Sequence, residues 1–272
     1  MVDARPPETH ALMQDPAFAA ALRLCGQSPI TLPCGLTLLN RRIAGIPILM
    51  LPRAAPPADL HDQLSAGNLH RRPLILSPET DGVLPRALRL SAPKTLLHLD
   101  LTGDLRAGLH PKWRNQLRHA EASPVRVRAR RLPPDHTLLD LEETQSRTKG
   151  YRNWPRALTA AFATVAPSQT HLFTATLRGH PIAHMLFLSH GQRATYHIGH
   201  TTDAGRAHHA HNLTMFTAMT QLARLGLTSL DLGPTSPKTS TLTRFKTRTG
   251  ARPRLTGGTW LRWSPLARGR RP

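Results

Sequence analysis

Three consecutive strand-like runs, residues 171–177, 181–189 and 193–199, limit what this chain can fold into. Arg178-Gly179-His180 and His190-Gly191-Gln192 separate them as turn segments, so the three form an antiparallel meander. Two helical stretches come before it, residues 138–148 and about 155–165. A longer helix follows over 208–225, with Leu213, Phe216, Leu222 and Leu225 along one side and Gly226 as its cap. A short strand, Ser229-Leu230-Asp231-Leu232, ends at Gly233-Pro234. Helix, helix, three strands, long helix, strand is the order of an α+β unit.

Upstream of the meander the local signals are shorter. A helix is predicted over 16–24, with Pro16 in its first turn and Gly26 past its end. Residues 36–39 and 43–50 read as strands around a turn at Asn40-Arg41-Arg42, and 52–57 as a linker. A helix over 58–70, a buried strand at 74–76 and a strand over 96–101 follow. His98 and Asp100 alternate with leucines in the last of these. From Pro111 a helix places Trp113, Leu117 and Ala120 on one face and Arg114 and Arg118 on another. Val125 and Val127 begin a further strand. A length of 272 residues suits two domains, and we divide them as 1–124 and 125–272.

Charge separates the halves. Residues 1–125 hold 14 Lys and Arg against 10 Asp and Glu, and residues 126–272 hold 22 against 6. From Gly233 onward there are ten basic residues, including Arg268, Arg270 and Arg271, and no acid. Such a skew points to a polyanionic partner, nucleic acid or a phosphate-rich substrate; an arginine-rich surface with a solvated tail is the plainer alternative. Several classes fall away. The longest apolar run, residues 43–51, is too short to span a bilayer. No basic-then-apolar leader opens the sequence, so a cytoplasmic location is expected. Cys25 and Cys34 form no C-x-x-C pair and read as two reduced, buried thiols. The histidines at 197, 200, 208, 209 and 211 lack the cysteine or carboxylate companions of a zinc site, so no metal is expected, and His208 and His211 are expected to face solvent.

Residues 242–251, Leu-Thr-Arg-Phe-Lys-Thr-Arg-Thr-Gly-Ala, are the most informative stretch. Read as a loop, they hold Lys246 among basic and small residues, and a fixed ammonium there can stabilise an oxyanion. Asp231 is a lone acid in a basic region: it orients a cation or is a plain ion-pair partner, and the surrounding charge makes it a poor base. Asp203-Ala204-Gly205-Arg206-Ala207 lies between strand and helix, where backbone amides bind phosphate well, and Gly205 and Arg206 are the candidate cofactor contacts. No P-loop, dinucleotide fingerprint or G-x-S-x-G elbow is present.

Taken together, several segments resemble one family. Residues 110–121, His-Pro-Lys-Trp-Arg-Asn-Gln-Leu-Arg-His-Ala-Glu, resemble the "K-W-R-N-x-L-R-K-A" helix of Fem-type proteins. Tyr196-His197-Ile198-Gly199, Leu230-Asp231-Leu232-Gly233, Arg244-Phe245-Lys246 and Gly250-Ala251 follow in that family's order. The resemblance is to the FemAB-like branch of the GNAT-fold acyltransferases and covers about residues 96–262. It implies an α+β fold of two side-by-side GNAT-like lobes, each a mixed, mostly antiparallel sheet flanked by helices. It also implies transfer of an aminoacyl or acyl group from an activated donor to an amine, such as that of a cell-wall (peptidoglycan) precursor. Aminoacyl-tRNA is the favoured donor and acyl-CoA the other; neither is a tightly bound cofactor.

By the same resemblance Lys246, preceded by Phe245, is catalytic and stabilises charge at the reacting carbonyl. On that reading Asp231 is a catalytic candidate that orients Lys246 or is purely structural, Arg244 and Arg248 hold phosphate or carboxylate groups, and Arg114, Arg118, Tyr196 and Phe245 contact substrate, with Arg114 and Arg118 facing the interlobe region. Two features depart from the pattern: the chain lacks the coiled-coil arm some members carry, and it has only 2 Tyr and 6 Phe to stack on bases. An acetyl-CoA-dependent N-acetyltransferase and a non-catalytic RNA-binding protein are the alternatives.

Overall fold

A computed structural model describes residues 10–235 and 240–263. Arg268, Arg270 and Arg271 lie outside the described residues. The described residues form two compact units, one of residues 10–95 with 254–263 and one of residues 96–235 with 240–253.

The first unit contains α1 (Pro16–Leu24), β1 (Ile30–Thr31), β2 (Thr37–Ile43), β3 (Ile46–Pro52), α2 (Leu60–Ala66), β4 (Leu74–Ser77) and β5 (Leu88–Ser91). Asp15 caps α1, its Oδ1 accepting from Ala17 N at 2.8 Å, while Pro16 takes a position whose N–H has no helical partner. The turn between β2 and β3 falls at Ala44-Gly45, both at positive φ, rather than at Asn40-Arg41-Arg42. Arg41 and Arg42 are ladder residues opposite Ile48 and Pro47. Gly45 accepts the left-handed backbone that a two-residue hairpin requires; the two arginines do not. The core of this unit joins Leu38, Leu49, Leu51, Leu60, Leu74, Leu76 and Trp260.

The second unit is built on β6 (Thr95–Asp100), α3 (Pro111–Ala122), β7 (Val125–Arg130), α4 (Leu138–Lys149), α5 (Arg156–Val165), β8 (Thr170–Leu177), β9 (His180–His190) and β10 (Arg193–Thr201). Then come α6 (Asp203–Ala207), α7 (Ala210–Arg224), β11 (Ser229–Pro234) and α8 (Ser240–Thr247). Two strands close the described chain, β12 (Arg252–Leu255) and β13 (Thr259–Arg262). One sheet has the order β1-β2-β3-β4-β13-β5 and the other β12-β6-β11-β10-β9-β8-β7.

The meander is present as expected, with β8, β9 and β10 antiparallel. The helix expected over 208–225 is two helices, because His209 adopts a left-handed backbone between α6 and α7. The buried face of α7 runs through Met215, Ala218, Met219 and Leu222, whereas Leu225 is exposed. Trp113 and Leu117 of α3 join that face in the main core, along with Phe173, Phe187 and Leu230. This packing places α3 in the second unit, so that unit begins at Leu96 and not at 125. The abrupt change of charge near Pro124 is a surface property and does not mark a break in packing. Cys25 is half-buried and Cys34 exposed, against the expectation of two buried thiols.

Candidate active site

The site lies where β10 and β11 part. These two strands run parallel and pair only at Arg193 with Ser229, Ala194 with Leu230 and Thr195 with Asp231. Beyond that point β10 carries a bulge between Tyr196 and Ile198, and β11 loses its register with β6 between Asp231 and Pro234. A bulge bends its strand and leaves a residue unpaired, so the sheet opens into a notch.

Lys246 reaches this notch from α8. Residues 242–251 are therefore helical over most of their length, not a solvated loop, and Lys246 is only 6% exposed. Phe245 explains the placement. Its ring lies 5.9 Å from Trp113 and 6.1 Å from His211, and this apolar seat fixes the helix so that the next side chain points inward. Lys246 Nζ stands 5.3 Å from the centre of the Tyr196 ring and 3.8 Å from where a Cβ on Gly233 would lie. Its N–H groups meet no hydrogen-bond acceptor among the described residues, which leaves them available to a ligand. Burial pulls the ammonium pKa down to about 8, partly opposed by the negative charge of Asp231.

Asp231 Oδ1 accepts from Gly233 N at 2.7 Å, so its carboxylate shapes the end of β11 and biases Lys246 toward its charged form. Tyr196 packs on Phe187 at 5.5 Å, and burial raises its phenol pKa. Its hydroxyl lies against Gly199, where any Cβ would collide with it. The bulge and Gly199 together let the ring lie flat in the notch under the ammonium, a cation–π arrangement.

The other expected residues sit differently. Arg114 spends its Nη2 on the carbonyls of Leu109 at 3.0 Å and Ala107 at 3.2 Å, tying down the loop before α3. Arg118 is exposed and donates to Asn115 Oδ1 at 3.1 Å. Arg244 is exposed, and the Arg248 carbonyl accepts from His110 N at 3.0 Å. Gly205 N donates to Thr202 Oγ1 at 3.1 Å, and a Cβ there would strike the Ile182 carbonyl. The glycine thus answers to close packing on β9. Arg206 contacts Asp203 and donates to Thr201 O. His211 does not face solvent. Its Nε2 lies 2.9 Å from the His200 carbonyl oxygen, and burial lowers its pKa to about 4. No cluster of metal-ligating side chains is found among the described residues.

One group escaped the sequence reading. Glu142 on α4 is buried and accepts hydrogen bonds from Tyr151 Oη (2.9 Å), Asn153 Nδ2 (2.8 Å) and Gln145 Nε2 (3.3 Å). Gln145 and Asn153 also donate to the carbonyls of Gly199 and His197, which ties the group to the β10 bulge.

A strand notch that receives an inward cation from α8 could polarise a carbonyl. The comparisons agree with that architecture. The chain belongs to the GNAT acetyltransferase family, whose "Acetyltransferase (GNAT) domain" matches residues 111–247. Its fold is similar to that of FemX, at 12% identity over 95% of each chain with a TM-score of 0.73. L-PGS from Bacillus licheniformis shares 11% identity over 91% of each chain, with a TM-score of 0.54. A tandem GNAT protein from the clavulanic acid biosynthesis pathway shares 12% over 90% of this chain and 86% of that one, with a TM-score of 0.52. No curated protein matches by sequence. The shared fold is the two-lobe, Fem-like form of the GNAT architecture, as the motifs led us to expect. No helix among the described residues is long and apolar enough to cross a membrane.

Proposed function

We propose that the protein transfers an aminoacyl or acyl group from an activated donor to an amine, with aminoacyl-tRNA favoured over acyl-CoA. The observation that carries this reading is the buried ammonium of Lys246 in the β10–β11 notch, which meets no hydrogen-bond acceptor among the described residues. The amine nitrogen attacks the ester or thioester carbonyl, and the electron pair of the C=O bond moves onto oxygen. Lys246 stabilises that oxyanion in a site shielded from water, where such a contact is worth most. Collapse of the tetrahedral species expels the alcohol or thiol, which takes up the proton the amine loses. Holding donor and amine together supplies much of the acceleration.

Two features support a nucleic-acid donor over a CoA thioester. Residues 126–272 carry 22 basic residues against 6 acidic ones. Phosphate contacts dominate binding to RNA. The Gly205 amide, where a pyrophosphate would be expected to dock, is already taken by Thr202. A cell-wall precursor amine and a cytoplasmic setting belong to the same proposal.

Titration with aminoacyl-tRNA, uncharged tRNA and acetyl-CoA at near-physiological salt tests the donor. Tighter binding of the charged tRNA than of the uncharged one is expected. Saturable acetyl-CoA binding, with only weak and salt-sensitive tRNA binding, would make the protein an acyl-CoA enzyme with a basic surface. Salt-sensitive RNA binding with no transfer would make it a non-catalytic RNA-binding protein.

The pH profile gives a second test. Lys246 acts as the ammonium, so kcat should fall as pH rises through about 8. Asp231 favours the charged form, and Asp231→Asn keeps an acceptor for Gly233 N while removing the charge. The falling limb should then move to lower pH. An unmoved limb would mean that Asp231 serves the backbone alone.

A further inference from the structure

Residues 126–272 contain six acids, and Glu142 is the one that is buried, at 6% exposure. Its three hydrogen bonds come from neutral donors, and no ion pair among the described residues includes it. A buried carboxylate without a cation is costly, and in a chain of net charge +20 a partner would be easy to supply. The local fold instead holds the anion in place. Gly150 ends α4 in a left-handed conformation and turns the chain back, so that Tyr151 and Asn153 reach the carboxylate. Tyr151 feels that charge: burial first, and Glu142 second in the same direction, raise its phenol pKa to about 12.

Glu142 borders a cleft of about 380 Å³, together with Tyr151, Trp154 and Ile198 of the β10 bulge. Three guanidinium groups also line it. Arg147 is paired with Glu143 at 3.4 Å and Arg156 with Asp140 at 2.7 Å, whereas Arg152 is exposed and has no partner among the described residues. The cleft thus offers a fixed anion, two aromatic side chains that favour a cation, and one free guanidinium suited to a carboxylate.

We propose that this cleft binds an amino-acid-like acceptor, its ammonium at Glu142 and its carboxylate at Arg152. The proposal rests on the transferase reading for the word acceptor; the binding itself does not depend on it. Three donors already engage the Glu142 oxygens, so the nitrogen held there is recognised as a cation and keeps its proton; the attacking nitrogen is a second, uncharged amine of the acceptor.

Binding of L-lysine, cadaverine and hexanoate to the full chain without donor, followed by titration calorimetry, tests the assignment. Cadaverine keeps the ammonium and lacks the carboxylate; hexanoate has the reverse. Lysine should bind saturably, cadaverine more weakly, and hexanoate not at all. Glu142→Gln should weaken lysine and cadaverine alike by about tenfold or more, the expected size for a charge-assisted contact. Arg152→Ala, at an exposed residue with no partner to lose among the described residues, should weaken lysine several-fold and leave cadaverine unchanged. If Glu142→Gln does not fold, the contrast between the two ligands in Arg152→Ala still decides. Absence of lysine and cadaverine binding to the wild type, or affinities untouched by both substitutions, overturns the proposal. Lysine binding that persists in a chain with no transfer from any donor would overturn the transferase reading and leave this cleft assigned.

Discussion

Lys246→Met should abolish turnover and at the same time stabilise the fold. Methionine fills nearly the same volume but brings no charge. Loss of a contact to a developing oxyanion costs roughly 10²–10³ in kcat. The stability gain follows from linkage. Burial lowers the Lys246 pKa to about 8 from its ordinary 10.5, so the folded state binds the proton less tightly than the unfolded chain. Below pH 8 the folded protein carries the full cost of that charge. Between 8 and 10.5 the cost fades as pH rises. At pH 7 the methionine variant should therefore be more stable by on the order of 2 kcal/mol, and the difference should shrink at alkaline pH. Urea unfolding at pH 7 and pH 10 reads both effects. Equal stability at both values would show that the ammonium is solvated and not held in the notch. A residue retained against stability in this way marks a functional position.

Trp113→Ala should give the largest loss of stability. Trp113 is fully buried in the main core and forms the seat for Phe245. Truncating a large aromatic in a packed core costs about 3–5 kcal/mol. For a unit of this size that lowers Tm by on the order of 10 °C. Trp113→Phe should cost much less, since the indole Nε1 has no hydrogen-bond partner among the described residues to lose. Because Phe245 sets the direction of Lys246, the alanine variant should also lose turnover well below its melting temperature. Full activity in a folded Trp113→Ala protein would separate Lys246 from the α3 seat.

Most of the second unit was legible because its signals are local. Trp113, Leu117 and Ala120 recur at helical spacing, and the glycine-centred turns Arg178-Gly179-His180 and His190-Gly191-Gln192 divide the meander. What escaped depends on distant contacts. Strand β13 pairs with β4 and β5, elements far back in the sequence (Trp260 opposite Leu76 and Arg89), and no local pattern announces such a return. Residues 242–251 read as a loop because charge dominates them; the α8 helix and the burial of Lys246 follow from the place Trp113 offers Phe245. His211 read as solvent-facing for a similar reason, since the His200 carbonyl that holds it belongs to another element. Glu142 did leave a trace, as an acid in an acid-poor half followed by Gly150, Tyr151, Asn153 and Trp154. Only the folded chain shows that these residues converge.

The most direct test of the central claim is amide formation from a radiolabelled aminoacyl-tRNA and L-lysine in a single turnover, comparing the wild type with Lys246→Ala. The expected result is labelled amide with the wild type and a loss of two to three orders of magnitude in the variant, with circular dichroism unchanged. Equal rates in the two proteins would contradict the role assigned to Lys246 and, with it, the account of the notch as the place where the carbonyl reacts.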